Sequence, residues 1–384
     1  MKVLGSQVER FGVTRLELLD ADFDLAVLWD PRIHGNVRQH DLDGVSTASR
    51  SLMISSPDGW VVQYRSDLSP PELTMECADY LELKDLDLGE VISFETISTA
   101  AKYLLSSRSR PNRGEEVREP AVAGAFYPAE PAKLNAELDQ LFKGTPTSPI
   151  SCAAVVVPHA GWIYSGRLAA QTLAQVKITD RAVIFAPKHR SGGGDWSVAT
   201  NRSWKLPNGA VESDLDFAEK MVRAVDFLQF DAAPHVQEHA VEVLLPMIAR
   251  LAPSTKIVGI VQAITSWNML AAGATQFAAF LATLPEPPLL IVSSDMNHFA
   301  TEETTRQVDK IALDAIATLD PQHAWETIQM NRISMCGIVP LVFVMQTLKL
   351  LGRLNECIPT GYTTSAERSG DFGRVVGYAG MLFR

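Results

Sequence analysis

The sequence predicts an α/β protein whose large domain is a mostly parallel central sheet covered by helices on both faces, preceded by a small α+β N-terminal domain. Three observations carry that prediction. Four short apolar runs rich in Val and Ile, at 153–157 (AAVVV), 182–186 (AVIFA), 256–261 (KIVGIV) and 289–293 (LLIVS), have the unbroken hydrophobicity of strands buried on both faces. Amphipathic stretches at 168–176, 215–225, 240–251 and 265–283 alternate with them, the grammar of a helix-covered parallel sheet. A chain of 384 residues also exceeds what one hydrophobic core usually serves.

Taken in order, the elements begin with strand-like runs at 23–29 and 61–64. SLMISSPDGWVVQY, residues 51–64, places two apolar runs around Pro57-Asp58-Gly59 and predicts a β-hairpin. A helix is expected over 96–105. SSRSRPNRGEE, residues 106–116, is polar and charged with no apolar periodicity, and reads as a linker. The boundaries that follow are an accessory α+β domain over 1–110 and the α/β domain over 118–384. Beyond the four core strands, the apolar run at 337–351 reads as a helix with Pro340 near its first turn, and 374–383 reads as a last strand.

Composition narrows the function. Apolar residues at 46% and charged residues at 21% are those of a packed globular protein. A net charge of −11 repels a phosphate backbone, so nucleic acid is not an expected partner. No stretch is long and apolar enough for a membrane span or signal peptide, and a cytoplasmic protein is expected. Cys77, Cys152, Cys336 and Cys357 form no CxxC pair, so neither a disulfide framework nor a zinc knuckle is suggested.

Ligands of open α/β sheets bind beyond the carboxyl ends of the strands. Three of the four predicted strands run there into histidine: Pro158-His159, Pro187-Lys188-His189 and Ser294-Asp295-Met296-Asn297-His298. Neutral imidazole is the commonest transition-metal ligand, and an unligated one moves protons near neutral pH. A metal site with a nearby acid/base is therefore expected. Cys336, before the apolar helix, would have its thiol pKa lowered by the helix dipole; spacing alone, however, favours an inert buried cysteine. Glu238 and Glu242 are explained by helix capping, and His239 either joins the site or pairs with Glu242. Trp162 and Tyr164 either wall the pocket or are core aromatics. Ser191-Gly192-Gly193-Gly194 lacks Walker and dinucleotide spacing and reads as a flexible loop; His34 and His40 read as solvated.

GAFYP (124–128), PHAGWIYSG (158–166), APKH (186–189), EHAVEVLLP (238–246), SSDMNH (293–298) and SGDFGRVVGYA (369–379) occur in this order. Together they resemble the Memo family, also described as protein B of the AmmeMemoRadiSam system, over about 119–384. That family is similar in fold to class III extradiol ring-cleavage dioxygenases, which implies a three-layer α/β/α domain. The resemblance further implies metal ligation by His159, His189 and Cys336, with Asp295 and His298 beside them as catalytic groups. Cysteine stands where the dioxygenases have glutamate, so redox chemistry other than ring cleavage is the expectation, with iron(II), or copper as the softer alternative. Small molecules or oxygen are the implied substrates, and a protein from the AmmeMemoRadiSam system an implied partner. The rival reading is a non-catalytic adaptor that retains a dioxygenase-like pocket, and a third is metal-assisted hydrolysis.

Overall fold

Strand pairing in the N-terminal region grows out of the expected hairpin. The computed structural model of the chain describes residues 25–56, 59–81, 83, 85–106 and 115–384, and the chain divides into two compact units, Met1–Arg110 and Pro111–Arg384. In the first unit, β1 (Ala26–Asn36), β2 (Arg50–Ser56), β3 (Gly59–Arg65), β4 (Glu90–Ser98) and β5 (Lys102–Ser106) form an antiparallel sheet in the order β1-β4-β2-β3-β5. Ser56 pairs with Gly59, closing the hairpin; its turn residues Pro57 and Asp58, like Phe23 and Asp24 of the expected first strand, lie outside the described residues. So do positions 107–114 of the expected linker.

Helix α1 (Pro70–Tyr80) starts at Pro70 with the Glu72 carboxylate accepting from the Ser69 N–H at 2.9 Å. It buries Cys77 and Ala78 with Ile54, Val61 and Val91 of the sheet. The helix expected over 96–105 is instead the end of β4, a turn, and β5. Tyr103 pairs across the strands with Tyr64, ring centroids 5.7 Å apart. Such cross-strand aromatic contacts outweigh local propensity.

The second unit opens with β6 (Val117–Arg118) and α2 (Pro131–Phe142), then enters the sheet at β7 (Ala154–Val157), followed by α3 (Trp162–Ala174) and β8 (Arg181–Pro187). Then come β9 (Trp196–Val198), β10 (Ser203–Leu206), β11 (Gly209–Glu212), α4 (Leu215–Ala224), β12 (Gln229–Phe230), α5 (Leu245–Leu251), β13 (Lys256–Gln262), α6 (Trp267–Ala282) and β14 (Leu289–Ser293). The chain closes with β15 (His298–Ala300), α7 (Glu302–Ala317), α8 (Pro321–Met330), α9 (Ile338–Leu350), β16 (Cys357–Thr364), α10 (Ala366–Ser369) and β17 (Val375–Phe383).

The four strands read from sequence are the parallel centre of a nine-stranded sheet, in the order β13-β8-β14-β7. Antiparallel β9 flanks one side and β17 the other, so the sheet is mixed, with helices on both faces. On one face Phe185 of β8 packs with Phe277 of α6 and Phe343 of α9; on the other, Trp162 and Leu173 of α3 and Leu244, just before α5, are buried over the sheet. α9 is apolar almost all round, as befits a helix enclosed by its neighbours. Among the described residues no helix is long and apolar enough to cross a membrane.

This strand order positions the site. β14 lies between β8 and β7, so the loops leaving β7 and β8 at their carboxyl ends flank the segment that leaves β14.

Candidate metal centre

His159 leaves β7 and is almost fully enclosed, 2% exposed. Its Nδ1 is 2.7 Å from the Ser293 hydroxyl, which spends its own proton on the Ala240 carbonyl at 2.6 Å. The hydroxyl must therefore accept from His159 Nδ1–H, and the Nε2 lone pair is left facing the site. Burial, then the neighbouring His189, holds the His159 pKa well below its ordinary value, so the ring is neutral at pH 7, the form that binds metals.

His189, at the end of β8, is set the same way by a different partner. Its Nδ1 lies 2.9 Å from Glu238 Oε1, and its backbone N–H donates to Oε2 at 2.8 Å. A carboxylate only accepts, so Nδ1 carries the proton and Nε2 is free. The same Glu238 Oε1 accepts from the His239 and Ala240 N–H groups at 2.9 and 3.0 Å and lies 3.2 Å from His239 Nδ1. Burial alone would raise the Glu238 pKa; its bonds to His189 and the nearby His239 overcome that and hold it down to about 2.

These contacts bring one ligand atom each from His159, His189 and His239 within 4.8 Å of one another. Burial followed by the His159 charge lowers the His239 pKa to about 3, so this ring too is neutral at pH 7. Three convergent imidazole lone pairs, each with its ring orientation fixed from behind, form a donor set that fits a transition-metal ion. His239, which sequence left open between the site and Glu242, belongs to the cluster. Glu238, assigned to capping, orients two of its members. The expected helix over 240–251 is also shorter: a single 3-10 turn at Glu242–Leu244 precedes α5, so Glu238 and Glu242 do not share a helical face.

The Glu238-His239 segment is loop, and buried polar contacts give it its shape. Arg118, from β6, donates to the carbonyls of His235 and Glu238, both at 2.8 Å, and pairs with Glu242 at 2.6 Å. Glu242 also accepts from the Ala121 and Val122 N–H groups at 2.9 and 3.0 Å and from the Tyr127 hydroxyl at 2.7 Å. Phe126 packs on the His239 ring at 4.6 Å, and the Trp162 indole donates to the Val243 carbonyl at 3.0 Å. Trp162 is thus a buried brace of this loop, whereas Tyr164 is 40% exposed.

Cys336 comes from the other side, immediately before α9. Its Sγ lies 3.4 Å from His159 Nε2 and accepts from the Asp295 N–H at 3.3 Å. Two donors sharing one ion at ordinary nitrogen and sulfur bond lengths sit about 3.5 Å apart, so this thiol is placed to share an ion with His159, though it is not one of the three donors clustered above. Gly337 makes the approach possible: a Cβ there would stand 2.4 Å from that of Ser294. The expected lowering of the thiol pKa by the helix is not found; burial, then the Asp295 charge, pushes it up. A bound metal would deprotonate it outright.

Asp295 is buried, and its Oδ1 accepts from the His159 and Ala160 N–H groups at 2.8 and 3.3 Å, with Oδ2 4.0 Å from His159 Nε2. Burial raises its pKa against these hydrogen bonds. His298 opens β15, and its Nδ1 is 2.8 Å from the Ser334 carbonyl. The glycine loop after His189 is anchored: Lys188 Nζ donates to the Gly193 carbonyl at 3.0 Å and Gly194 N–H to Asp231 at 2.8 Å. Gly193 has φ 65° and no room for a Cβ beside Pro234. His235 is buried on the Ser197 carbonyl at 3.0 Å and is not in the cluster. His34 bonds the Asp41 carbonyl and Ser93 at 2.8 and 2.7 Å, and His40 bonds local carbonyls.

Comparison with known proteins places the chain in a family. Residues 118–382 match the family model described as Memo-like protein. A MEMO1 family protein of Aquifex aeolicus is 35% identical over 270 residues, covering 70% of this chain and 99% of the relative. Similar proteins from Archaeoglobus fulgidus (34% over 268 residues, 70% of this chain and 100% of the relative) and Methanosarcina barkeri (33% over 267 residues, 69% and 99%) bear the same family name. With the matched span running from the strand that bears Arg118 to the last strand of the sheet, the chain belongs to the Memo family.

Proposed function

We propose that this chain is a metal-dependent redox protein acting on a small molecule or on oxygen, with His159, His189 and His239 as nitrogen ligands and Cys336 as a sulfur ligand. The convergence of three oriented imidazoles on a space that the Cys336 thiol also borders is the observation that carries the reading. Iron(II), or copper as the softer alternative, would supply one-electron chemistry there. His189, with 30% of its side chain exposed against 2% for His159, marks the side from which a small substrate enters. His298 accepts or donates a proton at Nε2. Asp295 holds the backbone that carries His159 and keeps its second oxygen toward that ring. All four cysteines are unpaired, which suits the reducing cytoplasm, and a protein of the AmmeMemoRadiSam system is the proposed partner.

The test is metal analysis of protein purified without oxygen, followed by oxygen uptake with candidate substrates. One iron or copper per chain with oxygen consumption is expected, and Cys336→Ser is expected to lose metal far more readily than Cys357→Ser. Metal-free protein that binds peptide would favour an adaptor, and turnover with zinc alone would favour hydrolysis.

A further inference from the structure

Behind His298 lies a chain of polar contacts, running from exposed Ser334 inward to buried Asn297 and Asp309, that the metal centre does not require. A carbonyl can only accept, so the 2.8 Å contact between His298 Nδ1 and the Ser334 carbonyl places a proton on Nδ1. Nε2 has no hydrogen-bond partner among the described residues. Ser334 is held in turn by Asn297: its N–H and its hydroxyl both donate to Asn297 Oδ1, at 3.3 and 2.9 Å, while that hydroxyl accepts from the His298 N–H at 2.8 Å.

Asn297 is itself pinned on three sides and is 7% exposed. Its N–H donates to Asp309 of α7 at 2.8 Å, its carbonyl accepts from the Gly377 N–H of β17 at 3.0 Å, and its amide nitrogen reaches Thr305 at 3.4 Å. Asp309 is fixed by the Tyr362 hydroxyl at 2.7 Å. The backbone beyond His298 is strained: Phe299 has φ 62°, a left-handed value that a bulky residue rarely adopts. Such strain persists only where the surroundings over-determine the backbone, and the Asn297 contacts hold the chain two residues before it.

We propose that Asn297 is a positioning residue that, through Ser334, fixes His298 as the Nδ1–H tautomer and so presents a free Nε2 lone pair to the site. The proposal rests on the reading of His298 as the proton carrier. A neutral His298 in this tautomer takes a proton at Nε2 and returns it from the same atom, while Nδ1–H stays on the Ser334 carbonyl and steadies the cation formed.

Multiple-bond nitrogen–proton NMR of the full-length, zinc-loaded protein labelled at histidine reads this directly, with His298→Gln assigning the signals. The Nδ1–H form is expected to dominate in the wild type and to lose its majority in Asn297→Ala at unchanged zinc stoichiometry. Asn297→Asp, which keeps an oxygen facing Ser334, is expected to restore it. A wild-type ring protonated at Nε2, or an Asn297→Ala spectrum matching the wild type, would overturn the proposal. If Asn297→Ala does not fold, Ser334→Ala, which removes the hydroxyl and keeps the carbonyl, serves instead: a weakened preference supports the clasp and an unchanged one overturns it. Failure of the proton-carrier reading is distinguishable, since it would appear as undiminished oxygen consumption in His298→Gln with the tautomer result intact.

Discussion

At the scale of single residues, Glu238 does more than any metal-facing group to set the geometry, because one carboxylate orients both His189 and His239. Removing a partner that orients a ligand typically costs 10–100-fold in metal affinity. Glu238→Ala is therefore expected to weaken zinc binding by about that factor in calorimetric titration, and wild-type affinity in the variant would show that the rings orient themselves. The buried histidines also make an acid-stability prediction. His235, fully enclosed, has its pKa lowered to about 4, by burial first. Its folded pKa is below that of the unfolded chain, so the stability it contributes is complete above about pH 6.5 and is lost as pH falls toward 4. At about 1.4 kcal/mol per unit, His235 alone withdraws roughly 3 kcal/mol across that window, and His159 and His239 act in the same direction. Asp309, whose pKa burial raises to about 6, opposes them: its penalty is relieved as pH falls through 6. Urea unfolding of metal-free protein from pH 7 to 4 is expected to show a net loss, steepest below pH 6; a flat profile would contradict the burial of these rings.

Elements explain which parts of the site could be read from sequence. His159, His189 and Asp295 were legible because each follows an apolar run that could only be a buried strand, and parallel strands deliver their loops to one end. His239 follows no strand. Its place depends on Arg118, whose bond to the Glu238 carbonyl spans 120 positions of sequence, and on Tyr127 and Trp162 from two other motifs. No local periodicity carries contacts of that range, which is also why Glu238 and Glu242 resembled caps. The misread segment at 96–105 has the same cause, since its strand pairing lies with β3 some forty residues earlier. Arg118 is consequently a test of the loop as a unit. Arg118→Ala leaves Glu242, 1% exposed, buried without its cation, a change that costs about 3–5 kcal/mol. Denaturant titration is expected to register that loss together with weakened zinc binding, whereas a cost near that of a surface substitution would mean the loop is held by other contacts.

For the whole molecule, the matched relatives are covered over 99–100% of their length by about 70% of this chain, so a complete Memo-type protein corresponds to the second unit. Residues 115–384 expressed alone are expected to unfold in one cooperative transition and to bind metal as the full chain does; a molten product would assign part of that core to the first unit. In the proposed centre, three imidazoles from separate loops meet at one ion. Calorimetric titration of metal-free, full-length protein with iron(II) under anaerobic conditions is the decisive measurement. One ion per chain is expected in the wild type, with binding lost in His159→Ala, His189→Ala and His239→Ala individually and retained in His235→Ala. Undiminished binding in the His239 variant, with its fold intact, would contradict the assignment.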